Sequence, residues 1–209
     1  MPDRLIDRTL RAFSNDLSTD APVPGGGSAA AYAGAMGSAL AAMVARIAAK
    51  RTAGEGEERP FIEEMDNLRA DFLRLVDDDS AAYAQVAEAL KLPRKTDEEK
   101  RARSERLQAA LLGASRVPLE VAKTARRLLD ACERGIQSAS PMTASDIGVG
   151  AFLAETALRG AALNVMINLA SLRDPGQVKA LSEDLDQALE GSDEQRKRIT
   201  DFVESRIAR

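Results

Sequence analysis

From Gly25 to Ala45 the chain carries no charge and little side-chain volume, a run of glycine, alanine and serine broken only by Tyr32, Met36, Leu40, Met43 and Val44. Ala30 and Gly34, like Ala33 and Gly37, stand four residues apart. That spacing lines up small residues on one helix face and lets another backbone approach closely, so such a helix belongs at the centre of a bundle or in a subunit interface. A membrane span is the competing reading and fits poorly. Alanine and glycine are weakly hydrophobic, the run up to Arg46 is barely long enough, and no other segment could cross a bilayer.

The stretch Pro22-Val-Pro-Gly-Gly-Gly-Ser28 leads into this helix. Its prolines hold the approach extended, its glycines open φ/ψ values closed to other residues, and Ser28 is placed to cap the helix. Free N–H groups at the helix start, with the positive end of the dipole, suit a carboxylate or a phosphate. A flexible entry to a buried helix is the plainer alternative.

The remaining chain reads as helix. Leu5, Ile6, Leu10, Phe13 and Leu17 fall at helical spacing and predict one short amphipathic helix. Lys50 to Arg59 reads as a polar turn, with Pro60 opening a long helix whose apolar stripe runs from Phe61 to Leu90. Asp77-Asp-Asp-Ser80 interrupts that stripe, an expensive place for acid unless one carboxylate faces a site; Asp77 and Asp78 are expected to face solvent. Thr96 and Glu99 have capping-box spacing, Pro118 predicts a kink or a fresh start, and Gly135 predicts a stop. A second small-residue helix runs from about Ser145 to Leu169, with Asp146, Arg159, Asn164 and Asn168 as its polar exceptions. Asp174-Pro175 opens a final charged stretch, which Gly191 divides. No segment alternates as a strand does. The expected fold is all-α: one domain over residues 1–209, a dimeric helical bundle with two central small-residue helices.

Residue types narrow the chemistry. The chain has no histidine and a single cysteine, Cys132, which removes the commonest metal ligand and general base together and leaves no internal disulfide. No metal site is expected, and the N-terminus shows no apolar signal region, so a cytoplasmic protein is expected. A net charge of −4 and 3% aromatic residues argue against a nucleic-acid partner. Carboxylates, lysine, hydroxyls, amides and backbone must carry any reaction.

Three segments in order are similar to the cyclodeaminase/cyclohydrolase family, the domain that forms the C-terminal half of formiminotransferase-cyclodeaminase. They are Pro22 to Ser28 with its alanine/glycine helix, Asp78-Asp-Ser-Ala-Ala-Tyr83 with Leu92-Pro-Arg-Lys-Thr-Asp-Glu-Glu-Lys100, and Ser145-Asp-Ile-Gly-Val149 with Arg159-Gly-Ala-Ala-Leu-Asn-Val165. Val117-Pro-Leu119 fits between them, so the resemblance covers nearly the whole chain. It implies an all-helical homodimer that binds a tetrahydrofolate derivative, with no cofactor beyond that substrate. It implies one of two reactions: hydrolysis of 5,10-methenyltetrahydrofolate to 10-formyltetrahydrofolate, or closure of 5-formiminotetrahydrofolate to the methenyl form with loss of ammonia. The chain's length favours the cyclohydrolase. A folate-binding helical module without catalysis is the reading from another class. Arg94 and Gly150 replace the family's usual lysine and alanine, and the loop Gln137 to Ala144 lacks its asparagine-rich pattern.

Both reactions pass through a tetrahedral carbon between N5 and N10 and need a group that moves protons. Asp79 and Asp146 are the candidate catalytic residues, since each interrupts an otherwise apolar helix, although Asp146 can equally be a plain cap. One is expected to handle protons and the other to hold the pterin; Asp79 is favoured for the proton, with Tyr83 one turn along holding its carboxylate. Gly25, Gly26, Gly27, Ser28, Arg94, Lys95 and Lys100 are candidates for the anionic glutamate tail. Tyr83 is a candidate platform for a flat ring, and Asn164, with Asn168 one turn on, needs hydrogen-bond partners that substrate could supply.

Overall fold

The computed structural model describes residues 4–52 and 55–208, without the side chains of 52 and 55–57. Its regular elements are a 3-10 turn at Leu5–Asp7 and seven α-helices: α1 (Leu10–Leu17), α2 (Gly26–Thr52), α3 (Glu55–Lys91), α4 (Asp97–Gly135), α5 (Ala144–Leu169), α6 (Pro175–Leu189) and α7 (Ser192–Ile207). No strand occurs among the described residues. The architecture is a helical bundle, all-α as the sequence predicts.

The two small-residue helices sit at its centre. α2 packs against α3, α4 and α5, while α5 also meets α4, α6 and α7. α2 and α5 run antiparallel with their backbones close: a Cβ on Gly37 would lie 3.0 Å from the Gly150 carbonyl, and one on Gly160 would lie 3.1 Å from the Ala30 Cβ. A Cβ on Gly150 would meet nothing nearer than 3.4 Å, so the alanine usual at that place also fits. α2 does have the length and composition of a membrane span, but 67% of its most apolar 18-residue stretch is buried within the bundle. Its apolar surface faces Met65, Leu68, Phe72, Leu128 and Leu129, all part of one core with no exposed surface.

Local signals hold at several helix ends. Thr96 and Glu99 form a capping box with both reciprocal bonds, Asp174 accepts from Gly176 and Gln177, and Gly191 takes the left-handed conformation (φ 65°) between α6 and α7. Three expectations need correction. The Leu5–Leu17 segment is broken, because Thr9 takes an extended conformation and accepts from the Ala12 N–H to start a new helix. Pro60 lies inside α3, which begins at Glu55; residues 53 and 54 of the expected polar turn lie outside the described residues. Pro118 neither kinks α4 into two helices nor restarts it. Proline deprives the Ala114 carbonyl of its helical donor, and the Asn168 side chain supplies one at 2.7 Å.

Asp77 is also more than a solvated acid. Its carboxylate accepts from the Leu5 N–H at 2.8 Å and Arg4 Nε at 3.1 Å, tying the N-terminal turn to α3. Asp78 remains on the outside, paired with Arg74.

Candidate functional site

Where α2 begins, α3 and the C-terminal part of α5 leave a cleft of about 320 Å³. Pro22, Val23 and Gly25–Gly27 border it from the entry loop, Asp79, Tyr83 and Val86 from α3, Ala114 from α4, and Asn164, Ile167 and Asn168 from α5. The Val23–Pro24 peptide there is cis.

Asp79 is the one carboxylate on this wall. Its Oδ2 accepts from Ser28 Oγ at 2.9 Å, and the Ser28 backbone also donates to it. The same Ser28 hydroxyl lies 3.0 Å from the Val76 carbonyl and 3.3 Å from Ser80 Oγ. Burial pushes the Asp79 carboxyl above its ordinary value and outweighs the lowering by the Ser28 side chain and backbone. An acid raised by desolvation and bordering a cleft is suited to taking and returning a proton.

The glycines make this placement possible, though not through special φ values. A Cβ on Gly27 would sit 2.1 Å from Asp79 Oδ1, so only glycine lets the carboxylate reach the first turn of α2. Ser28 is fully buried and lies within α2, which starts at Gly26; it does not cap the helix and cannot touch a ligand. The acid at this helix start is thus the protein's own Asp79. Gly25 and Gly26 remain at the cleft surface, where Gly26 faces the Asn164 carboxamide.

Tyr83 borders the cleft with 42% of its surface exposed and makes no bond to Asp79; Ser28 holds that carboxylate in its place. Asn164 Nδ2 donates to its own helix at the Gly160 carbonyl (2.9 Å), and Asn168 bridges to α4. Tyr32, the other tyrosine, stacks tilted on Phe13 with ring centroids 5.6 Å apart, away from the cleft. Val86, Ala114 and Ile167 line the cleft without having been singled out from the sequence. For Ala114 the signal is Pro118 four residues on, which marks the Ala114 carbonyl as needing an outside donor.

Other candidates stand apart. Asp146 lies in the first turn of α5, eighteen residues before Asn164 on one helix and therefore about 27 Å away along its axis. It cannot share a cleft with Asp79 of the same chain. Arg94, Lys95 and Lys100 are exposed around the α3–α4 connection and outside the cleft, with Lys100 paired to Asp97 at 2.8 Å. A larger groove of about 470 Å³ between α4 and α6 is lined by Lys123, Arg126 and Arg127, but Lys123 is bonded to Asp184 and Arg126 to Asp130 and the Glu190 carbonyl. Cys132 is buried, with its thiol pushed up to about 12 by burial, and is no nucleophile. Among the described residues no group of three or more Cys, Asp or Glu is arranged to hold a metal ion.

Known proteins similar to this chain fall in one family. The formiminotransferase-cyclodeaminase family model matches residues 9–187. A methenyltetrahydrofolate cyclohydrolase of Methylorubrum extorquens is 34% identical across 96% of this chain and 98% of its own. The formimidoyltransferase-cyclodeaminase of Rattus norvegicus is 37% identical over 81% of this chain, which spans 32% of that longer protein. The crystal structure of a formiminotetrahydrofolate cyclodeaminase from Thermotoga maritima superposes with a TM-score of 0.83 at 27% identity, covering 95% of this chain and 96% of the other. With a family model covering most of the sequence and a relative matched over 96% of it, the chain belongs to the formiminotransferase-cyclodeaminase family.

Proposed function

We propose that this protein is a methenyltetrahydrofolate cyclohydrolase in which Asp79 is the general base. The observation that carries the reading is a desolvated carboxylate, fixed by Ser28 at the edge of a cleft, in a chain matched over 96% of its length by a cyclohydrolase. The methenyl carbon between N5 and N10 is already electrophilic, so water needs a base more than the carbon needs a Lewis acid. Ionised Asp79 takes a proton as the water oxygen bonds to that carbon. The tetrahedral adduct then collapses: the hydroxyl proton leaves, the C–N5 bond breaks, and Asp79 returns its proton to N5. Water is consumed, 10-formyltetrahydrofolate forms, and one net proton is released. Base catalysis of this kind supplies about 10²–10⁴ in rate.

Cyclodeamination is the second reading, favoured by the likeness to the Thermotoga maritima structure and the Rattus norvegicus protein. The same carboxylate would then carry a proton from N10 to departing ammonia. Purified protein mixed with 5,10-methenyltetrahydrofolate should bleach its absorbance in a single-substrate assay. Ammonia release from the formimino compound with no loss of the methenyl compound would assign the other reaction, and inertness toward both would leave a folate-binding module.

A cytoplasmic homodimer fits this reading, and α5 supplies support for the dimer. Val149, Phe152, Leu163 and Ile167 are large apolar side chains between 48% and 70% exposed on that helix, beside Met36, Met43 and Ile47 on α2. Apolar surface of that extent is normally covered. Val149 and Leu163 lie seven residues either side of exposed Thr156, and Ser145 and Ile167 lie eleven either side. Two α5 helices crossing antiparallel at Thr156 would bring Asp146 of the partner subunit to the end that carries Ile167 and the cleft. Mixing Asp79→Asn and Asp146→Asn proteins tests this. If each site uses both acids from different chains, randomly exchanged mixtures regain about a quarter of wild-type sites, since half of the dimers are mixed and one site in each is intact. No regain on subunit exchange, or a monomer in sedimentation, would remove Asp146 from the site.

A further inference from the structure

Asn164 and Asn168 both border the cleft, one turn apart on α5, and each has its amide nitrogen committed elsewhere. Asn164 Nδ2 donates to the Gly160 carbonyl at 2.9 Å, and Asn168 Nδ2 to the Ala114 carbonyl at 2.7 Å. A backbone carbonyl only accepts, so these bonds fix which end of each carboxamide is nitrogen and which is oxygen. Each side chain therefore keeps one acceptor, Oδ1, to which no described residue donates. Pro118 holds Asn168 in this orientation: by withholding its own donor from Ala114, it leaves that carbonyl to the Asn168 amide.

We infer that Asn164 and Asn168 are an acceptor pair that reads the donor edge of the substrate's pterin, its 2-amino group and adjoining ring N–H, and so turns the methenyl carbon toward Asp79. The inference rests on the folate reading above and deepens it. A 2-amino-4-oxopyrimidine presents two neighbouring N–H donors on one edge, the complement of two oxygens with unfilled lone pairs. A site built of acceptors discriminates strongly against an analogue lacking those donors, because its oxygens are then left unpaired. Asn168 is specificity-determining on this view, and Pro118 is a positioning residue that acts through it.

The test compares 5,10-methenyltetrahydrofolate with its analogue carrying a methyl in place of the 2-amino group. Wild-type protein should show kcat/KM about ten-fold or more lower for the analogue. In Asn164→Ala/Asn168→Ala protein the two substrates should converge to within about two-fold, mainly through loss on the natural substrate. A purely structural role would slow both substrates alike and keep the ratio, which overturns the proposal. Asn168→Ala also strands the Ala114 carbonyl, so Pro118→Ala is added to return its helical donor. The Asn164→Ala/Asn168→Ala/Pro118→Ala variant should regain thermal stability without regaining discrimination. Discrimination restored along with stability, or no discrimination in the wild type, overturns the acceptor pair while leaving the folate reading in place. Absence of turnover on 5,10-methenyltetrahydrofolate removes the cyclohydrolase reading; the same comparison is then read on 5-formiminotetrahydrofolate and its 2-methyl analogue, where equal rates in the wild type overturn the acceptor pair.

Discussion

Two glycines on α2, seven residues apart, do the same thing to opposite effect. Gly34 leaves room for the ring of Phe72, whose Cε1 a Cβ would meet at 2.3 Å, and Gly27 leaves room for the carboxylate of Asp79, whose Oδ1 it would meet at 2.1 Å. Phe72 and Asp79 are themselves seven apart on α3, so both pairs are rungs of one antiparallel seam. Phe72 has no exposed surface and makes the first rung core. The second rung, two turns nearer the helix start, is open to a cleft and holds an acid whose carboxyl burial has raised. The difference lies in what the seam admits and whether water can follow it. Close packing is one geometric device, and it makes a core or a site according to the side chain let in.

Filling each rung breaks the comparison in a different way. Gly34→Leu should have the largest effect, a loss of more than about 3 kcal/mol or failure to fold, because the ring has nowhere to go in a filled core. Urea unfolding checks it, and Gly34→Ala/Phe72→Leu should recover most of the loss that Gly34→Ala causes; additivity of the two changes would show that they do not meet. Gly27→Ala should behave otherwise. The Asp79 carboxylate can swing into the open cleft, so stability should fall by only about 1–2 kcal/mol while turnover drops by about 10²–10⁴. A variant that folds and turns over normally would show that the seat of Asp79 beside Ser28 is irrelevant to the reaction.

The sequence made one rung legible and concealed the other. Small-residue spacing pointed to α2 and α5 as the bundle's centre, and Thr96 with Glu99 marked the start of α4, because those signals are local and both partners lie within one turn. Ser28 was misread as a cap because its actual partners, Val76 and Asp79, are 48 and 51 residues away. Pro118 looked like a helix breaker for the same reason: the donor that relieves it comes from Asn168, 54 residues beyond Ala114. Asp79 was recognised as an acid out of place in an apolar stripe, but the group that holds it was mistaken for Tyr83. Asp146 shows the converse. Its distance from Asn164 was readable from helical rise alone, and that rise already separates it from the cleft of its own chain.

The smallest effect sharpens the electrostatic half of the comparison. Asp79 has a carboxyl raised above the ordinary 3.8, chiefly by burial, with the Ser28 bonds opposing. An acid whose folded value exceeds its unfolded value contributes stability that is fully present below the unfolded value and lost as pH rises through the folded one. Asp79→Asn does not titrate, so its stability relative to wild type should improve as pH is raised from below 3.8 toward neutrality. Urea midpoints measured at several pH values would show this as a narrowing or reversal of the gap, with slope confined to the region above 3.8. Activity should move the other way: wild-type kcat/KM should climb over the same interval as the base ionises, with its apparent midpoint above the ordinary carboxyl value. Phe72 offers no such dependence, and variants at the Gly34 rung should shift stability by the same amount at every pH. A stability gap for Asp79→Asn that is flat with pH, or that widens as pH rises, would mean that the carboxylate is stabilised in its seat and that burial does not govern its ionisation.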